Sequence, residues 1–135
     1  PLSIYDQRLL NDGTINYLND IGVSIHARSI FLQGLTLQEY SLWPSFIREE
    51  FKLHHQKFES HITKQGISLL EASLSFIYEC QYLESCIVGV TNQQEFIEIL
   101  KVWNNLILKG TKISKENFLK WQWNEYIDLD PRRWN

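Results

Sequence analysis

Apolar and polar positions divide the chain into short alternating runs and longer helical ones. Cys86 to Val90 is a compact apolar run with β-branched residues, which predicts a buried strand. Val23 to Arg28 alternates apolar and polar residues and predicts a second strand. Pro1 to Tyr5 reads as the end of another, with Asp6, Gln7 and Arg8 at its polar exit. Asp12-Gly13 is a turn signal, and Thr14 can cap a short helix with Ile15, Leu18 and Ile21 inward. Gly22 suits that helix's C-terminal end. Ser29 to Gly34 is the loop leaving the second strand, and Thr36 to Pro44 is a polar-aromatic connection.

The middle reads as helix. Ile47, Phe51, Phe58 and Ile62 fall on one face of a long helix ending at Gly66. Ser68 and Glu71 have capping-box spacing, with Ser68 accepting from the backbone and Glu71 reaching back. Leu70, Leu74 and Ile77 give that helix its buried face. After the strand at Cys86 to Val90, Thr91 or Asn92 can cap an amphipathic helix whose Phe96, Leu100, Trp103 and Ile107 recur at helical spacing. Gly110 ends it, Ser114 can cap a last helix, and a tail closes with Asp130, Pro131, two arginines and Trp134. Strands separated by helices favour an α/β protein with a parallel sheet. Three such strands make only part of a sheet, so its open edges call for a covering partner or for self-association.

The stretch from Glu84 to Leu100 carries the chemistry of greatest interest. A strand, Gly89, a polar turn and a helix start together resemble a phosphate cradle, because free N–H groups and the helix dipole both favour an anion. Every βα junction shares that order, so the junction alone does not decide the matter.

Composition narrows the classes. With 135 residues, 44% hydrophobic and 13% aromatic, the chain is globular and the size of one domain, with no separate second domain. Net charge −3 and pI about 5.8 argue against a nucleic-acid partner. No apolar run approaches a membrane span, and no secretory signal opens the chain. Cys80 and Cys86 lie outside metal-knuckle spacing and imply reduced thiols in a cytoplasmic protein. No methionine occurs and Pro1 falls within what reads as a strand, so a longer parent is expected. His54, His55 and His61 read as surface or packing residues, and His26 as a hydrogen-bonded interior filler. No metal set is evident, and no nucleophile elbow surrounds any serine.

Four blocks in succession carry a resemblance: residues 1–8, residues 22–34, residues 66–76 and residues 87–100. Together they resemble the C-terminal half of an aldo/keto reductase, in the family's order and approximate spacing. The resemblance implies strands six to eight, with their helices, of a (β/α)8 barrel whose ligand loops follow the strand ends. It implies hydride transfer between a nicotinamide nucleotide and an aldehyde or ketone, the cofactor supplying the hydride. The family's catalytic aspartate, tyrosine, lysine and histidine belong to the first half of the barrel, so this segment alone is expected to be inactive and to need that half as partner.

By the same resemblance, Ser29 matches the family's cofactor-binding serine in the loop after the seventh strand, and Phe31, Leu32 and Gly34 fall where backbone N–H groups meet the pyrophosphate. Gly89, Thr91 and Asn92 hold the adenosine ribose, and Glu98 accepts from the adenine amino group. Arg28 takes the place of a ring that stacks on the nicotinamide. Glu95 falls where a partner of the NADP 2′-phosphate is usual; a carboxylate there repels that phosphate and can accept from a free 2′-hydroxyl, which favours NAD over NADP. Ile99 replaces an asparagine and removes an adenine contact. A second reading is a non-catalytic nucleotide-binding or assembly module, similar to the family's channel beta subunits.

Overall fold

A computed structural model describes residues 1–134. It is mixed α/β and mostly helical, with one pair of strands, β1 (His26–Ala27) and β2 (Ser85–Cys86). The pair is parallel, with His26 opposite Ser85 and Ala27 opposite Cys86. Flanking bonds from Glu84 N–H to Ile25 O (2.9 Å) and from Ile87 N–H to Ala27 O (2.8 Å) extend the ladder at both ends.

Both strands are shorter than their apolar patterns predict. Residues 87–90 gain no further neighbour, so the pattern alone does not make them a strand; Ile87 and Val90 are exposed. The expected first strand is absent. Only Leu2 N–H reaches Arg28 O (3.0 Å), because Ser3 and Asp6 fold the chain back through Ser3 N–H to Asp6 O (3.1 Å) and Asp6 N–H to Ser3 Oγ (3.0 Å). These bonds satisfy the buried polar residues locally.

Two short helices, α1 (Arg8–Asn11) and α2 (Thr14–Asp20), lead to β1. Ile15 is buried, Leu18 is half-buried, and Ile21 lies exposed past the helix end. Then come α3 (Glu49–Thr63) and α4 (Leu69–Tyr78), both where the pattern predicts them. Ser68 caps α4 by accepting from Glu71 N–H (3.1 Å), but the Glu71 carboxylate turns to Lys112 (3.6 Å) instead of closing the box. After β2 come α5 (Gln93–Lys109), α6 (Lys115–Leu119) and α7 (Tyr126–Leu129). Asn92 caps α5. Its buried residues are Ile99 and Leu106; the expected Phe96, Leu100 and Ile107 are exposed, because α4 covers only one side of the helix.

The core centres on Tyr5, wholly buried and edge-on to Phe51, His54, His55 and Phe58 with ring centroids 5.2 to 6.0 Å away. Tyr5 donates to His55 Nδ1, and His55 Nε2 donates to Gln38 O (2.7 Å). The His55 ring stacks on Trp43 at 4.4 Å, and the Trp43 indole donates to Leu35 O (2.9 Å). The histidine is therefore a satisfied packing residue, and burial lowers its pKa to about 4. His26 differs from its expected interior place: it is exposed, hydrogen-bonded to Ser24 and Ser85. The tail is anchored through Asp128, which accepts from the Trp123 indole (2.7 Å) and pairs with Arg48 (3.1 Å) ahead of α3. Cys80 and Cys86 form no disulfide. Among the described residues no helix is long and apolar enough to cross a membrane.

Candidate functional site

Because β1 and β2 are parallel, the loops leaving their C-terminal ends emerge side by side. A cleft of about 660 Å³ lies between them, lined by residues 29–31, 33, 34, 37 and 38 on one side and residues 87–91 and 95 on the other. Ser29, Phe31, Gly34, Gly89, Thr91 and Glu95 all border it. Four other expected residues do not. Arg28 and Leu32 face a neighbouring cleft of about 650 Å³, Asn92 is spent on the helix cap, and exposed Glu98 accepts from Gln94 (3.1 Å) on α5.

The loop after β1 has unusual backbone. Ser29, Leu32 and Gln33 hold φ of 61°, 45° and 56°, and Gly34 follows at 89°. Left-handed conformations cost non-glycine residues roughly 1 kcal/mol or more each, so something must hold them. The holding groups are the buried side chains of Ile30, Phe31, Leu32 and Leu35. Two of the three expected pyrophosphate donors are already used within the loop: Leu32 N–H bonds Ser29 O (2.9 Å), and Gly34 N–H bonds Phe31 O (2.8 Å). Phe31 combines φ −99° with a left-handed successor, the backbone sequence that forms an anion-binding concavity. Its N–H has no hydrogen-bond partner among the described residues.

On the facing side the start of α5 is closed. Glu95 accepts from Thr91 N–H (2.7 Å), Thr91 Oγ1 (2.8 Å) and Asn92 Nδ2 (3.0 Å), while Asn92 Oδ1 accepts from Glu95 N–H (3.0 Å). The Thr91 backbone bond, then its hydroxyl and Asn92, hold the carboxyl below its ordinary pKa, so it is an anion at neutral pH. Three acceptances leave one lone-pair direction for a ligand. At the helix start the Glu95 carboxylate takes Thr91 N–H and Asn92 takes Glu95 N–H, and the carboxylate's charge opposes a phosphate there while its remaining lone pair suits a neutral hydroxyl.

The fit to a dinucleotide can be tested at the glycines. A Cβ at Gly34 or Gly89 would meet no protein atom within 4 Å, so both present bare backbone to open space in the cleft. Gly89 has no positive φ that demands glycine, and open access is the property it adds. Arg28, joined to Ser29 Oγ at 3.4 Å, is the cation nearest the loop in sequence. What the cleft and its neighbourhood offer is one unpartnered backbone N–H at Phe31, bare backbone at Gly34 and Gly89, and one free lone pair on the Glu95 carboxylate.

The second cleft shares Ser29 and Gln33 with the first and is rimmed by Arg8, Arg28, Arg132 and Arg133. Asp6 holds Arg8 through two bonds of 2.7 Å, and Asp130 holds Arg132 through two of 2.8 Å. Arg132 pulls the Asp130 carboxyl down to about 2. Gln33, Gln38, Ile87, Val88 and Val90 border the first cleft without having been expected there. The alternation of Gln33 gave no signal, since its side chain is aimed by a left-handed backbone. No group of three or more His, Cys, Asp or Glu among the described residues is placed to hold a metal ion. No protein-family model, curated protein or solved structure matches this chain significantly.

Proposed function

We propose that this chain is the nucleotide-gripping C-terminal portion of a cytoplasmic oxidoreductase resembling the aldo/keto reductases, with β1 and β2 in the places of the seventh and eighth strands of a (β/α)8 barrel. The single observation behind this reading is the cleft where the loops after two parallel strands meet, the position at which such barrels bind ligands. In this reading, Phe31 N–H serves the pyrophosphate, Gly34 and Gly89 admit its close approach, and the free lone pair of Glu95 accepts from the ribose 2′-hydroxyl. The bound nicotinamide would supply or accept the hydride of an aldehyde–alcohol or ketone–alcohol couple. The reacting side chains belong to a complementary half-barrel. Exposed Ile87, Phe96, Leu100 and Leu108 provide apolar surface for it to cover, or for self-association in its absence.

Calorimetric titration of the full chain with NAD and NADP tests the reading. Saturable NAD binding, with NADP weaker by roughly fivefold or more, is the expected result. Binding of neither nucleotide, or tighter binding of NADP, would overturn it. Binding without turnover when the complementary half is supplied would favour the non-catalytic nucleotide-binding module.

A further inference from the structure

The second cleft, of about 650 Å³, gathers charge from three separate parts of the chain. Arg8 comes from the start of α1, Arg28 directly follows β1, and Arg132 and Arg133 belong to the tail. Among the described lining residues these four arginines face two carboxylates, Asp6 and Asp130, in a chain whose net charge is −3. Both carboxylates are spent on orienting arginines. Asp6, itself buried, grips Arg8 through Nε and Nη2 at 2.7 Å, and the guanidinium lies over Tyr126 with Cζ 4.6 Å from the ring centre. Asp130 grips Arg132 in the same two-pronged way at 2.8 Å and reaches Arg133 Nε at 3.5 Å. Each fork leaves its Nη1 group outside these bonds. Arg28 pairs with no carboxylate among the described residues, and its bond to Ser29 Oγ is long, at 3.4 Å.

A planar carboxylate answers one guanidinium fork, as Asp6 and Asp130 already do. Donors that remain on several arginines suit an anion with three outward oxygens and a double charge. We infer that this cleft binds a small phosphate monoester, its phosphoryl group held chiefly by Arg28, with Arg8 and Arg133 beside it. The volume far exceeds that of a phosphate alone, and Ser29 and Gln33 add neutral polar groups to the lining, so the ester carries a hydroxylated body. The site does not depend on a nucleotide in the neighbouring cleft.

Glycerol 3-phosphate and inorganic phosphate serve as probes, at about pH 7.5, where the phosphoryl group is mostly a dianion. Each is titrated into the full chain at fixed ionic strength while ¹H–¹⁵N spectra follow the arginine Nε–H groups and the backbone amides of Arg28, Tyr126 and Asp130. Glycerol 3-phosphate should give saturable shifts at these groups, with inorganic phosphate weaker by about threefold or more. Arg28→Gln should weaken the ester by about tenfold, and Arg133→Gln by less. Both side chains are exposed, so neither change threatens the fold. No saturable response, equal binding of inorganic phosphate, unchanged affinity in Arg28→Gln, or shifts centred on Gly89 and Thr91 would each overturn the inference.

Discussion

His55 makes the stability of this fold depend on pH in a way that can be worked through. Its ring is buried, accepts at Nδ1 from Tyr5, donates at Nε2 to Gln38 O, and lies on Trp43, an arrangement that suits neutral imidazole. Burial lowers its folded-state pKa to about 4, against about 6.5 in an unfolded chain. Between those values the unfolded chain binds the extra proton, so stability is full above about pH 6.5 and falls as pH drops toward 4. From about pH 7.5 to about pH 4.5 the loss attributable to this residue is about 2.5 kcal/mol. Urea unfolding at both pH values, on the wild type and on His55→Gln, isolates it from other titrating groups. Glutamine can still donate to Gln38 O and accept from Tyr5 but does not titrate. The variant should be less stable at the higher pH and lose about 2.5 kcal/mol less on acidification. Equal losses in the two proteins would refute the assignment of a buried, neutral His55.

Three further outcomes follow from the geometry. Glu95→Gln removes the charge at the start of α5 and should narrow the preference for NAD over NADP by roughly fivefold, read from paired nucleotide titrations; an unchanged ratio removes Glu95 from the discrimination. Gly34→Ala forces a side chain into a φ of 89° and should cost about 1 kcal/mol in chemical unfolding, although nothing lies close enough to collide with the added methyl. Asp128→Ala strips the Trp123 indole of its acceptor and Arg48 of its partner, and should cost about 2 kcal/mol with loosening of the tail visible in hydrogen exchange.

Elements specified by nearby residues were legible in the sequence. The caps at Ser68 and Asn92, the helices around Phe51 and Leu74, and the left-handed glycines 66 and 110 all depend on chain neighbours within a turn. What depended on distant partners was not. Residues 87–90 have a strand's composition but no strand beside them, and Phe96 and Leu100 have a core face's spacing but only α4 to bury against. At the candidate site, the sequence could not show that Leu32 and Gly34 spend their N–H groups within their own loop. It also gave no sign that Asp128, in a charged tail, would be buried as an anchor. Gln7, also buried, donates to a carbonyl that Phe118 presents from far along the chain.

Ser29 and Gln33 belong to both large clefts, and the backbone carrying them sits in conformations that buried neighbours enforce. The loop is thus a party wall: neither chamber can be redecorated without disturbing the one behind it. Substitutions that reshape one side will register on the other, and variants here must be assessed at both clefts at once.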